Sequence, residues 1–181
     1  MKKGVLLGLA MVCFAPSIWA QGVTLEQLMS APFPENLTAA KRANRVAWTF
    51  NQEGKRNIWV AEAPSFAARR LTSYLEDDGQ PLSALNFSDD GNTIVYVRGE
   101  GKNASGQFPN PTSNPAGTEQ TVWSVTWSGG EPKRVDAGDS PKLSAMGVIA
   151  YVRDGQIWIA PLAGGEKPKQ LIVRGQNHSE E

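Results

Sequence analysis

The sequence holds one cysteine, Cys13, one histidine, His178, and no surplus of either charge. Each scarcity excludes something. Beyond the first twenty residues there is no cysteine, hence no disulfide, no thiol nucleophile and no thiolate metal ligand. A lone histidine argues against a histidine-based metal site, and no cofactor is expected. Eighteen basic residues balance eighteen acidic ones, and loss of Lys2 and Lys3 with a leader leaves sixteen against eighteen, a net charge of −2. Such a surface lacks the basic footprint that nucleic acid requires. Long apolar runs are missing too. The run from Val5 to Val12 is shorter than the ~20 residues of a membrane span, and Pro16 follows it closely.

That short run has another use. Met1-Lys2-Lys3 is a basic start, Val5 to Val12 an apolar centre, and Ser17-Ile18-Trp19-Ala20 ends in a small residue before Gln21. Residues 1–20 read as a cleavable secretory signal, which implies a periplasmic or secreted product. Ala10-Met11-Val12 before Cys13 fits a lipoprotein signal poorly.

What the sequence does have is repetition. Thr121 to Glu131 reads TVWSVTWSGGE and Gln156 to Glu166 reads QIWIAPLAGGE, an offset of 35 (156 − 121) at every pair. Asn57-Ile58-Trp59-Val60-Ala61 is a third copy. Trp59 lies 12 residues before Leu71, Trp123 12 before Val135 and Trp158 13 before Leu171. Near-equal spacing of this kind points to one sheet per unit, repeated radially.

Residues 21–43 form a lead-in. Leu25, Leu28 and Met29 fall at i, i+3 and i+4, which predicts one short helix capped by Thr24 and lying over part of the blades. From Asn44 the period becomes two. Val46, Trp48 and Phe50 alternate with Ala47 and Thr49, and Ile58-Trp59-Val60 returns. The sequence thus predicts three units, at about 44–80, 81–136 and 137–175. Turn signals at Ser88-Asp89-Asp90-Gly91 and Asp154-Gly155 mark hairpins. Buried positions are expected at Val46, Trp48, Phe50, Ile58, Leu85, Phe87, Ile94, Tyr96, Trp123, Ile149, Tyr151 and Ile157. The expected fold is all-β, an incomplete β-propeller of about three four-stranded blades. Between Val97 and Thr121 lies an insertion rich in Gly, Asn, Pro and Ser, of a length typical of functional loops or disorder.

These blade motifs resemble the propeller repeats of the Tol-system periplasmic protein and of the prolyl oligopeptidase family of serine peptidases. Leu85-Asn86-Phe87-Ser88-Asp89-Asp90-Gly91 is similar to the common blade motif, with Asp89 where that motif has proline. The closer likeness is to exported bacterial peptidases of the dipeptidyl or acylaminoacyl type. It rests on Thr24 to Leu28 with Ala31-Pro32-Phe33-Pro34, on Arg56 to Pro64, on Leu71 to Tyr74 with Glu76 to Gln80, and on Tyr96 to Gly99 followed by Pro109 to Pro111 and Pro115 to Gln120. The resemblance implies the N-terminal, non-catalytic propeller part of a serine peptidase, gating or binding peptides for an α/β-hydrolase domain absent from these residues. A free-standing propeller that binds proteins, of Tol type, is the other function it allows.

Family catalysis needs a serine on a Gly-x-Ser-x-Gly elbow, an aspartate and a histidine. The sequence has no such elbow: Asn103 and Gln107 flank Ser105 where glycines belong. No catalytic residue is therefore assigned. Glu76, Asp77 and Asp78 beside Gln80 read either as a solvated turn or as an acidic patch able to hold a peptide's free amino end. Arg98 joins them as a candidate binding residue, at the head of an insertion that also carries Lys102, Asn110, Glu119 and Gln120. Glu180-Glu181 matches no surrounding motif. Three blades cannot close a ring, so the end sheets should expose apolar faces and favour aggregation.

Overall fold

The computed structural model describes residues 23–107 and 118–171. The signal segment, Asn110, His178 and the terminal glutamates lie outside them. One short helix, α1 (Leu25–Met29), precedes twelve strands: β1 (Phe33–Ala39), β2 (Arg45–Gln52), β3 (Lys55–Glu62), β4 (Arg69–Arg70), β5 (Leu82–Phe87), β6 (Thr93–Arg98), β7 (Thr121–Thr126), β8 (Lys133–Ala137), β9 (Asp139–Leu143), β10 (Val148–Arg153), β11 (Gln156–Pro161) and β12 (Lys169–Gln170). They form three four-stranded antiparallel sheets, β1 to β4, β5 to β8 and β9 to β12, each with strands in sequence order. The first strands of neighbouring sheets pack together, β1 on β5 and β5 on β9. The three sheets are thus blades that converge on their first strands.

The helix has the cap its sequence offers. Thr24 Oγ1 accepts from the Gln27 amide and Gln27 Oε1 from the Thr24 amide, both at 3.1 Å. It does not cover the blades as expected: Leu25 and Leu28 are 74% and 66% exposed. The first blade also starts earlier than residue 44, because β1 within the lead-in is its innermost strand. Likewise β9 supplies the innermost strand of the third blade. Neither strand alternates cleanly, and the reason is shared. Each innermost strand carries an irregular register around one non-glycine residue of positive φ: Asn36 (56°), Ala84 (52°) and Ser140 (49°). Such a bulge breaks the period-two signal and bends the strand. The innermost strands are also tied together. Asn36 Nδ2 donates to the Leu82 carbonyl at 2.9 Å, and Asn86 Nδ2 to the Pro141 carbonyl at 3.0 Å.

Strand register reveals what the blades share. Trp48 faces Trp59, Tyr96 faces Trp123 and Tyr151 faces Trp158 across the second and third strands. One pair further on, Val46 faces Ala61, Ile94 faces Val125 and Ile149 faces Ala160. These positions make one sheet face, directed at the preceding blade. The opposite face, directed at the following blade, carries Ala47, Thr49, Ile58 and Val60 in the first blade. Val95, Val97, Val122 and Ser124 stand there in the second, and Ala150, Val152, Ile157 and Ile159 in the third.

Two cores follow. Ala47, Ile58 and Val60 meet Ile94, Tyr96 and Val125 between blades one and two. Val95, Val97 and Val122 meet Ile149, Tyr151 and Ala160 between blades two and three. Among the described residues, no neighbouring sheet packs on the preceding face of blade one or the following face of blade three. Val46, Trp48 and Phe50, expected inside, are therefore only half-buried, while Ala47 and Thr49 are buried. Ile157 is 40% exposed for the same reason. Phe87 and Trp123 are half-buried at the rim of the first core. Burial holds at Ile58, Leu85, Ile94, Tyr96, Ile149 and Tyr151.

Candidate functional site

Four antiparallel strands per blade place the second-to-third turn and the connection to the next blade at the same end. That end gathers the Glu53-Gly54 hairpin, the segment from Leu71 to Pro81, residues 99–107 and 118–120 at the two ends of the insertion, Gly138 and the Asp154-Gly155 hairpin. Each two-residue hairpin has positive φ at both positions, 53° and 84° in blade one and 51° and 69° in blade three. Blade two has its long insertion at this position instead.

All five predicted binding residues lie at this end, at the junction of blades one and two. Asp78 pairs with Arg98, whose guanidinium lies 4.5 Å above the centre of the Tyr74 ring. Asp77 stands 3.6 Å from Arg56 and packs against the Cα of Gly54. Both aspartates also accept from the turn itself. The Gly79 amide donates to Asp77 at 3.3 Å and the Gln80 amide to Asp78 at 3.0 Å. The Gln80 side chain turns back to the Asp78 carbonyl at 3.4 Å. Glu76 is exposed beside them. The patch is therefore two Asp–Arg pairs and one projecting carboxylate, not three free acids.

Beneath it, the Tyr74 and Tyr96 hydroxyls lie 2.7 Å apart. Burial raises the pKa of both, and for Tyr74 the hydrogen bond with Tyr96 and the charge of Arg98 oppose that rise. Both phenols stay neutral at physiological pH. Tyr74 is fixed by Asn57, which accepts its amide at 2.7 Å and donates to its carbonyl at 2.8 Å.

A second cluster of the same kind stands one junction further along. Arg153 Nη1 donates to both Asp136 oxygens, at 3.0 and 3.3 Å, and the Tyr151 hydroxyl donates to Asp136 at 2.5 Å. Burial pushes the Asp136 carboxyl up, but the bonds from Tyr151 and Arg153 outweigh it and leave the pKa below the usual value. The Tyr151 pKa is raised by burial and by that carboxylate. Beside the cluster opens a polar cleft of about 410 Å3, lined in part by Glu119, Gln120, Asp139, Arg153 and Asp154. Glu119 pairs with Arg134 at 2.8 Å.

Sequence reasoning missed this cluster, although a signal was present. Tyr96-Val97-Arg98 recurs as Tyr151-Val152-Arg153. The tyrosine enters the core and the arginine, two residues on at the strand end, meets a carboxylate, Asp78 on the connection between blades one and two and Asp136 near the end of β8. Among the described residues, no group of three or more His, Cys, Asp or Glu is placed to hold a metal. Nor is any helix there long and apolar enough to cross a membrane.

Comparison with known proteins supports the architecture. No protein-family profile matches the chain. No curated protein matches it significantly. Solved structures do. A prolyl endopeptidase superposes with a TM-score of 0.53 at 13% identity, covering 78% of this chain and 22% of that one. TolB from Acinetobacter baumannii gives 0.51 at 16% identity, over 80% of this chain and 33% of that one. A protein assigned as TolB in Agrobacterium tumefaciens gives 0.52 at 14% identity, over 78% and 49%. The chain thus spans from about a fifth to a half of the length of these neighbours. Identities this low speak for fold alone, and the fold is that of an incomplete β-propeller of three blades.

Proposed function

We propose that the chain is the non-catalytic propeller portion of a serine peptidase of the prolyl oligopeptidase type, exported by its signal segment and receiving peptides at its loop-bearing end. The observation that carries this reading is the concentration of anchored charge at that end. Asp77 with Arg56, Asp78 with Arg98, Glu119 with Arg134 and Asp136 with Arg153 make four ion pairs near two blade junctions. Held side chains of both signs suit a peptide, which offers an ammonium, carbonyls and a carboxylate. The exposed Glu76 stands where a free amino end can pair with it. The likeness to a prolyl endopeptidase and the four sequence stretches named above agree with this assignment.

A hydrolase domain is the partner this reading requires. No peptide hydrolysis is expected from the 181 residues alone. Calorimetric titration with a short peptide bearing a free amino end, and with its acetylated form, tests the reading. Binding of the free form, weakened by acetylation and by Glu76→Gln, supports it. Equal or absent binding of both contradicts it.

The second reading, a protein-binding propeller of Tol type, has its own support. The TolB structures superpose as well as the peptidase and share more of their own length. The reading frame beyond Glu181 separates the two. Further blades with a Gly-x-Ser-x-Gly elbow favour the peptidase, and a propeller completed without one favours the binding module.

A further inference from the structure

The polar cleft at the junction of blades two and three holds more negative charge than its own cations balance. Its floor is backbone. The Gly138 amide donates to the Gln120 carbonyl at 2.8 Å, and a Cβ on Gly138 would come within 2.4 Å of the Val152 carbonyl oxygen. This one residue links the last strand of blade two, which ends at Ala137, to the first strand of blade three, which begins at Asp139. The walls come from both blades. Glu119 and Gln120 stand on one side, Asp139, Arg153 and Asp154 on the other. A volume of about 410 Å3 falls within the ~300–1,000 Å3 of small-ligand sites.

Pairing at this junction is uneven. Four carboxylates, Glu119, Asp136, Asp139 and Asp154, meet two guanidiniums, Arg134 and Arg153, which leaves a net charge of −2 (2 − 4). Glu119 takes Arg134 at 2.8 Å, and Arg153 is shared by Asp136 at 3.0 Å and Asp154 at 3.6 Å. Asp139 receives neither. Its carboxylate and the Gln120 side-chain amide are half-buried, and among the described residues neither has a hydrogen-bond or ionic partner. A carboxylate partly withdrawn from water without a donor carries a desolvation cost that a cation beside it relieves.

We propose that this cleft receives a basic side chain of a peptide, its guanidinium or ammonium group paired with Asp139 and donating a second hydrogen bond to the Gln120 side-chain carbonyl. A guanidinium fits best, because its planar fork carries enough donors for both acceptors. Arg153 does not repel the incoming cation, since Asp136 and Asp154 already meet its charge. This selectivity rests on the peptide-receiving role assigned above to the same end. It adds a preferred side chain at the second junction to the amino end placed at Glu76 by the first.

Calorimetric titration of the 181-residue chain with four short peptides tests it. One sequence bears arginine and its counterpart bears citrulline, each with a free and with an acetylated amino end. Citrulline keeps the shape of arginine and removes its charge. The arginine peptides are expected to bind about tenfold more tightly than the citrulline ones, whichever amino end they carry. Asp139→Asn should erase that preference and Glu76→Gln should leave it. Gln120→Lys sets a cation inside the cleft from the other wall and should erase it as well. Near-ultraviolet circular dichroism checks that each variant is folded. Equal binding of arginine and citrulline peptides would overturn the proposal, and an acetylation effect in the same titrations would still uphold the peptide-receiving end. An arginine preference that survives both Asp139→Asn and Gln120→Lys would overturn it too, because the basic group then sits elsewhere. An arginine preference erased by both variants, with no effect of acetylation, would support the cleft and remove Glu76 from the reading. Absence of binding by all four peptides would overturn both.

Discussion

Among the described residues, the second blade is covered by a neighbouring sheet on both faces and the first on only one, although the two are built to the same pattern. Strand β6 shows the consequence. Ile94, Val95, Tyr96 and Val97 are all buried, the first and third against blade one, the others against blade three. In β2 the equivalent positions alternate, with Ala47 and Thr49 buried and Val46 and Trp48 half-buried. The amino acids differ less than their surroundings do. A residue's role in a stacked array is set by whether a neighbour is present on its side.

The largest test of this contrast is a matched pair of truncations. Ile94→Ala empties a fully buried position and should cost about 2–5 kcal/mol in urea unfolding. Val46→Ala, at the equivalent position on the open face, should cost less than about 1 kcal/mol when measured on dilute protein. Equal losses would break the comparison. Next in size is Gly138→Ala. Gly138 has a φ of 138°, and an added Cβ would run into the Val152 carbonyl oxygen. The junction of blades two and three should lose more than about 1 kcal/mol. Gly155→Ala has open space around its Cβ and only its φ of 69° to oppose it, so its thermal melt should shift less.

A pH titration sharpens the same junction. The Asp136 carboxyl has a folded pKa below its ordinary value of about 3.9. Its contribution is therefore complete above that pH and is lost as pH falls through the lower folded value. Asp136→Asn should lower stability at pH 7 and flatten the acid limb below about pH 4, read from urea midpoints against pH. An unchanged acid limb would remove Asp136 from the junction's electrostatics. The smallest effect is expected at the helix: Leu28→Ser, on an exposed position, should leave the melt within about 0.5 kcal/mol of wild type.

The tryptophan repeat and the turn signals made the second and third strands of every blade legible, because flat alternation and two-residue hairpins leave a local imprint. The innermost strands were not legible in blades one and three. Asn36 and Ser140 take positive φ where no glycine announces it, and the bulge shifts the alternation by a residue. Of the candidate site, Asp78, Gln80 and Arg98 are close neighbours, as the spacing of a blade connection allowed. Tyr74 beneath Arg98 and Arg56 beside Asp77 were hidden, since ion pairs and ring contacts join residues distant in sequence. Arg153 with Asp136 escaped notice because a three-residue echo, Tyr-Val-Arg, is short beside the longer tryptophan repeat.

The central claim is that one sheet face recurs three times and is covered twice. Ile58, Val122 and Ile157 occupy the same register position on the following face of the three blades. Each can be changed singly to cysteine in a Cys13→Ser background and its thiol labelled in dilute native protein. The cysteine at 157 should react at once, and those at 58 and 122 only when the chain unfolds. Equal labelling rates at all three positions would contradict the account.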